Sequence, residues 1–195
     1  MIFKESDLSF NFSADHWVIK KYDTHRYFKI LSGAGLKGVD FLGIYEGKQV
    51  VFFEVKHFHT NHPTKPPSYL IFQDLEAFIA KIVDKAHDLI RAISIINQYL
   101  ERKWWFRLFL KSSAFFPAFL IKNRDWYFWY RVAQLMWVPL KEQPTFVLWL
   151  EIEAVLTEKT KDKIHQQIKA RLSTCLLYTS PSPRDLSTSR MPSSA

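Results

Sequence analysis

Positions 38–56 read GVDFLGIYEGKQVVFFEVK, and this stretch determines the fold that the sequence predicts. Two apolar runs flank a turn at positions 46–48, which is the pattern of a β-hairpin. Side chains alternate between the faces of a strand, so Glu54 and Lys56 project from one face and Val55 from the other. Charges inside an otherwise apolar strand need partners or a function.

The register of this hairpin decides whether Asp40 meets Glu54. An odd-numbered loop centred on Gly47 sets Asp40 directly opposite Glu54, with Cβ atoms roughly 5 Å apart on one face. Two carboxylates that close repel each other unless a cation lies between them. A hard divalent ion such as Mg²⁺, which takes oxygen ligands, satisfies both. A loop of even length would offset the pair by one residue and weaken this argument.

The spacing of Asp40 from Glu54-Val55-Lys56 resembles the signature of the PD-(D/E)XK nuclease superfamily. The resemblance covers roughly the first half of the chain, and Val39 stands where the family has a proline. It implies an α/β fold with a restriction-endonuclease-like core, made of a helix, antiparallel strands, a long helix and further strands. It also implies Mg²⁺-dependent hydrolysis of phosphodiester bonds.

The resemblance assigns roles to the matching positions. It implies that Asp40 and Glu54 hold Mg²⁺, or Mn²⁺ as a substitute, together with the main-chain carbonyl of Val55. Lys56 would position or deprotonate the attacking water and stabilise charge developing on phosphorus.

Three residues outside the motif are accessory candidates. Asp23 is the nearest acidic residue in the first predicted helix, although capping that helix explains it as well. Lys37 is a candidate phosphate contact. Gln73 is a candidate for orienting substrate or Lys56, and it also fits an ordinary first-turn residue.

The remaining elements are predicted from periodicity and from turn residues. Asp23 is expected to cap a helix over 24–31, and residues 17–22 fit either an extra helical turn or an extended segment. A long helix is indicated by apolar residues recurring from Leu75 to Leu100. Its polar side is expected to present charged residues to solvent, with contacts to phosphate as the less favoured alternative. These residues are Lys81, Lys85, Asp88 and Arg91. Further segments are predicted as strands at 115–122 and 145–155, a loop at 57–67 and a lysine-rich helix at 157–172.

Composition and charge limit the classes of protein to which this chain can belong. The chain has 195 residues and a net charge of +8, which favours polyanionic partners such as DNA or RNA. Charged residues interrupt every apolar run well short of the roughly 20 residues that span a membrane, so no membrane segment is expected. The single cysteine, Cys175, excludes a disulfide framework and fits a reducing cytoplasm.

The end of the chain differs in character. Residues 175–185 resemble the conceptual translation of a transposase-type sequencing adapter, and 189–195 resemble the adapter's far end. We therefore expect one natural domain at 1–173, truncated at its C-terminus, and an artefactual, disordered tail at 174–195.

Two residue clusters leave alternatives open. His57, His59 and His62 are of the kind that bind transition metals, but a strand continuing past Lys56 would point the first two away from Glu54. The aromatic-rich C-terminal half could stack on bases, fill the core or form an oligomer surface such as a homodimer contact, through residues including Trp104, Trp105, Trp126, Tyr127, Trp129 and Tyr130.

The sequence thus predicts a metal-dependent endonuclease acting on DNA. Two alternatives remain: a non-catalytic nucleic-acid-binding or assembly module on the same fold, and an RNA nuclease or toxin-like effector.

Overall fold

The structure is a computed structural model that describes residues 1–58, 73–112, 124–137, 144–152, 157–172 and 177–178. It is a mixed α/β arrangement with a five-stranded sheet, a separate two-stranded hairpin and five helices among these residues. The strands are β1 (Ile2–Glu5), β2 (Leu8–Asn11), β3 (Trp17–Lys21), β4 (Phe41–Tyr45), β5 (Gln49–Phe58), β6 (Thr145–Ile152) and β7 (Leu177–Tyr178). The helices are α1 (Arg26–Ser32), α2 (Leu75–Glu101), α3 (Trp104–Ser112), α4 (Asp125–Trp137) and α5 (Glu158–Leu172).

The sheet has the order β3-β4-β5-β6-β7 and is mixed. Strands β3, β4 and β5 run antiparallel, whereas β6 lies parallel to β5. A parallel neighbour requires a crossover connection. The chain between β5 and β6 contains α2, α3 and α4, and α2 and α4 pack on the sheet through a shared core.

Apolar side chains cover both faces of the sheet. On one face, the even-numbered residues of β4 and β5 pack with the buried stripe of α2, which includes Ile79, Ile82, Ala86 and Leu89. On the other face, the β1–β2 hairpin packs through its phenylalanines on Phe41 and Phe53. Glu54, an even-numbered residue of β5, therefore lies on the face of the sheet that the helices cover.

Several sequence predictions are confirmed. The apolar period indicated α2 from Leu75 to Leu100, and the helix runs from Leu75 to Glu101. Strand β6 begins at the predicted Thr145, and α5 ends at the predicted Leu172. The predicted strand at 115–122 and most of the predicted loop lie outside the described residues, as do positions 153–155.

The helix predicted at 24–31 was misplaced. It begins at Arg26, and His25 rather than Asp23 caps it, because the His25 Nδ1 accepts a hydrogen bond from the Tyr27 amide. The ambiguous segment at 17–22 is the strand β3. As a result α1 lies between β3 and β4, not before the antiparallel strands as expected.

The described aromatic residues of the C-terminal half range from core to surface. Phe106, Phe128 and Trp129 are buried, whereas Trp104 is 75% exposed. Asp125, at the start of α4, ties that helix to β3 through Lys20 at 2.5 Å and to His25 at 3.4 Å. Aromatic side chains here mainly join helices to each other and to the sheet.

Strand β7 pairs with Thr145 and Phe146 at the edge of the sheet. It falls within the segment that resembles adapter sequence, and positions 179–195 lie outside the described residues. The candidate site lies on β4, β5 and α2 and does not involve this strand.

Candidate active site

The hairpin register brings Asp40 to the end of the β4–β5 ladder, beside Val55 and near Glu54. Tyr45 pairs with Gln49 and Phe41 with Phe53, so a three-residue loop is centred on Gly47, which is the odd-numbered alternative. Glu46 and Gly47 both have positive φ, which closes the loop tightly. The paired part of the hairpin ends at Phe41 and Phe53, so Asp40 lies one residue before β4, near enough to Glu54 for the two carboxylates to influence each other.

Asp40 is fixed by three hydrogen bonds. Its amide donates to the Phe53 carbonyl at 3.0 Å, and its own carbonyl accepts from the Tyr22 amide at 2.9 Å. Its carboxylate Oδ2 accepts from the Val55 amide at 2.6 Å. Because Val55 lies beyond the paired part of β4, the side chain supplies the acceptor that a longer strand would have supplied.

Gly38 allows the chain to pass close to the rings of Tyr22 and Phe28 just before Asp40. A Cβ at Gly38 would lie 2.3 Å from the Tyr22 ring and 2.9 Å from the Phe28 ring. The segment entering β4 therefore passes directly over the buried Tyr22 ring, which a larger residue would prevent.

Glu54 is the most deeply buried charged residue of the site. It is 0% exposed, and its Oε1 accepts hydrogen bonds from Lys56 and from Lys85, the latter at 2.6 Å. Its second oxygen, Oε2, is buried and has no hydrogen-bond partner among the described residues. An unsatisfied carboxylate oxygen at such a position is costly unless something else binds it.

Lys56 lies beside Glu54 on the same strand. Its side chain is 29% exposed, and its ammonium also donates to the Val55 carbonyl at 3.3 Å. The N–H and C=O of one strand residue point to the same edge, so this carbonyl lies on the side where Asp40 binds the Val55 amide. The Val55 backbone thus contacts both Asp40 and Lys56, and Lys56 in turn contacts Glu54.

Lys85 is the residue that sequence reasoning missed. The prediction that it faces solvent was wrong, because its side chain is 25% exposed and its ammonium contacts Glu54 from α2. A signal was present: Lys85 follows Ile82 by three residues and precedes Leu89 by four, and both are fully buried. Those spacings place it on the flank of the apolar stripe, where a long lysine stem reaches inward.

The four charges influence one another. Burial is the main cause that raises the pKa of Asp40 to about 6, and the neighbouring Glu54 carboxylate raises it further. The Val55 hydrogen bond, Lys56 and Lys85 act in the opposite direction. Burial alone would lower the pKa of Lys85, but the Glu54 carboxylate outweighs it, so the Lys85 pKa is raised and the side chain stays charged.

The donor set fits a hard divalent cation. Two carboxylates and a main-chain carbonyl are the oxygen ligands that Mg²⁺ takes, and it retains water ligands for the remaining positions. Glu54 Oε2 is a buried oxygen that a cation would satisfy. Within the described ranges no cluster of three or more His, Cys, Asp or Glu side chains could hold a metal, so a cation here rests on two carboxylates.

The accessory candidates lie outside this cluster of contacts. Asp23 is 3.9 Å from Lys21, and its Oδ1 is buried with no hydrogen-bond partner in the ranges that the structure describes. Lys37 has an exposed side chain, and its amide donates to Asp88 on α2. Gln73 is exposed, two residues before α2 begins. None of the hydrogen bonds described above for Asp40, Glu54 or Lys56 involves these three residues.

The histidine prediction is partly confirmed. His57 belongs to β5, and its Nδ1 contacts the Ser6 carbonyl of the β1–β2 hairpin at 2.7 Å. It therefore lies on the face opposite Glu54, as strand alternation required. His59 and His62 lie outside the described residues.

Comparison with protein-family models, with curated proteins and with solved structures finds no match to this chain. Among the described residues, no helix combines the length and apolar character needed to cross a membrane. The functional argument therefore rests on the geometry of the site.

Proposed function

We propose that this chain is a metal-dependent nuclease of the PD-(D/E)XK type, hydrolysing phosphodiester bonds in DNA. The observation that carries the proposal is the run of contacts from Asp40 to Val55, from Val55 to Lys56 and from Lys56 to Glu54, whose Oε2 is buried without a hydrogen-bond partner among the described residues. Neither a surface ion pair nor an ordinary core position accounts for a fully buried glutamate with that arrangement.

The topology supports a restriction-endonuclease-like fold. Antiparallel β3, β4 and β5 are followed by the long helix α2 and by β6 parallel to β5. This is the order that the resemblance implies for the strands, the second helix and the further strand. The position of α1 after β3 departs from it.

The residues of the site have separable tasks. Asp40 and Glu54 would hold Mg²⁺ or Mn²⁺ with the Val55 carbonyl. When bound, such an ion polarises the scissile phosphate and lowers the pKa of a water ligand. Lys56 carries its ammonium beside Glu54 and the Val55 carbonyl, where it orients the attacking water and stabilises negative charge on the phosphate.

DNA is the proposed substrate, and the cytoplasm is the proposed location. The net charge of +8 favours a polyanion, because cationic proteins bind nucleic acid by releasing its counterions. The low cysteine content is consistent with a reducing compartment.

One observation favours a second candidate, a non-catalytic nucleic-acid-binding module on the same fold. Two lysine ammonium groups already surround Glu54, so the charges of the site balance without a metal. In that case Glu54, Lys56 and Lys85 would form a structural ion-pair network.

Cleavage assays separate these candidates. We expect the purified protein to cut supercoiled plasmid or branched DNA with Mg²⁺ or Mn²⁺ and to be inactive in EDTA. Lys56→Ala and Asp40→Asn should abolish cleavage with unchanged circular dichroism, whereas Lys48→Ala, at the exposed hairpin turn, should retain it. If the wild-type protein binds DNA but never cuts it with either metal, the nuclease is excluded and the binding module stands. Cleavage of RNA alone would instead favour the RNA nuclease.

A further inference from the structure

The two cations at Glu54 point to a role for Lys85 beyond the nuclease motif. We propose that Lys85 is the internal counter-ion of the metal site: its ammonium neutralises Glu54 before metal binds and opposes metal entry. This inference rests on the proposed function, because it assumes that a divalent cation binds Asp40 and Glu54.

The first support is the burial of Glu54. A carboxylate with no exposure requires compensation by hydrogen bonds or opposite charge. Lys56 supplies one cation from the same strand, and Lys85 supplies a second from α2 at 2.6 Å. Both ammonium groups bind Oε1 and leave Oε2 without a partner within the described part of the chain, so the oxygen suited to a further cation is next to an existing positive charge.

The second support is charge balance. Two carboxylates and two ammonium groups sum to zero, and a divalent cation would give the cluster a charge of +2. Like charges at such separations repel strongly because the surroundings are poorly hydrated. Metal binding therefore favours withdrawal of one ammonium group from Glu54.

Lys85 is better placed to withdraw than Lys56. The Lys56 ammonium has a second acceptor in the Val55 carbonyl, which holds it at the strand. Lys85 reaches Glu54 from a different element through a flexible four-carbon stem. The two lysines are similarly exposed, Lys85 at 25% and Lys56 at 29%, so the second acceptor of Lys56 is what separates them, and the Lys85 ammonium has a route to solvent or to an anionic phosphate.

A phosphodiester would assist this exchange. It brings negative charge next to the displaced ammonium, so polyanion binding and metal binding should strengthen each other. Lys85 thus couples the two ligands, and the metal affinity of the unliganded protein is kept low.

The test measures Mn²⁺ affinity from the electron paramagnetic resonance signal of free Mn²⁺, using the intact protein. Lys85→Met removes the charge but keeps a long apolar stem, and Lys85→Gln keeps a polar donor if the methionine variant folds poorly. Both should bind Mn²⁺ about tenfold more tightly than the wild type, because one repulsive charge is gone. Lys81→Met, an exposed position one turn earlier on α2, removes the same charge without touching Glu54 and should leave the affinity unchanged.

A second readout is thermal unfolding. In EDTA the Lys85→Met variant should unfold at a lower temperature than the wild type, because Glu54 loses a partner, and Mn²⁺ should raise its unfolding temperature by more than that of the wild type. Equal or weaker Mn²⁺ binding by both Lys85 variants would overturn the counter-ion role, even if the wild type cleaves DNA. Absence of Mn²⁺ binding in every variant would overturn it together with the proposed nuclease.

Discussion

Replacing Asp40 by asparagine is expected to stabilise the fold while abolishing the proposed nuclease activity. Asparagine keeps an oxygen that can accept the Val55 amide hydrogen bond, but it carries no charge. The negative charge of Asp40 is unfavourable in the metal-free protein, because burial and the Glu54 carboxylate both oppose it. Removing the charge should therefore relieve the folded state.

The size of the expected stabilisation follows from the pKa of Asp40. One pKa unit corresponds to about 1.4 kcal/mol, and the pKa of Asp40 rises from 3.8 to about 6 on folding. The folded protein thus binds this proton more tightly than the unfolded chain, so the free energy of unfolding falls as pH rises from about 4 to about 6. The full difference is about 3 kcal/mol, and partial solvent screening reduces it to about 2 kcal/mol.

Urea unfolding followed by tryptophan fluorescence, in EDTA and at a series of pH values, measures this directly. Asp40→Asn should exceed the wild type in free energy of unfolding by about 2 kcal/mol at pH 7.5, and the two should converge below pH 4. Asp84→Asn, which removes a carboxylate from an exposed position of α2, controls for the change in net charge. If Asp40→Asn is instead less stable at pH 7.5 and equal at pH 4, the lysines stabilise the carboxylate and the argument is refuted.

Three further perturbations test the surroundings of the site. Glu54→Gln should destabilise the protein by about 2–3 kcal/mol in urea unfolding, since it leaves two partly buried ammonium groups without a counter-charge. Glu158→Gln, at an exposed ion pair, should cost under about 1 kcal/mol. If the two variants lose similar free energies of unfolding, the buried role of Glu54 is contradicted. Gly38→Ala should cost about 1–3 kcal/mol, because its Cβ would overlap the Tyr22 ring, whereas Gly33→Ala, with a nearest contact of 3.4 Å, should have a small effect on the unfolding midpoint. Asp125→Asn should lower the pKa of His25 further, because burial already lowers it and the Asp125 carboxylate opposes that effect; a proton NMR titration that shows an unchanged or raised His25 pKa would rule this out.

The hairpin and its charged pair were accessible from sequence because they are local. The odd loop centred on Gly47 and the strict alternation of strand side chains place Asp40, Glu54 and Lys56 at one end of the hairpin, within seventeen positions of chain, 40 to 56. The α2 helix was equally accessible, since its apolar residues repeat at one period over its whole length.

What the sequence did not reveal depends on docking between distant segments. Lys85 meets Glu54 only after α2 packs on the sheet, and helical periodicity does not specify which flank of the stripe faces a charge. The sequence did not predict the helix α4, because its outer side is also aromatic. Those aromatic residues hide the polar stripe that marks an amphipathic helix. The β1–β2 hairpin turns at Ser6 and Asp7, both with positive φ, without the glycine that normally signals such a turn.

The crossover between β5 and β6 has a consequence for the order of folding. The β4–β5 hairpin closes a short loop and can form early, but its Glu54 then lacks the ammonium of Lys85, which is 31 residues further along the chain. Docking of α2 therefore completes the core and the neutralisation of Glu54 in the same step. Because the hairpin lacks this counter-charge until α2 packs on it, we expect β4, β5 and α2 to appear together as one protected unit in hydrogen exchange.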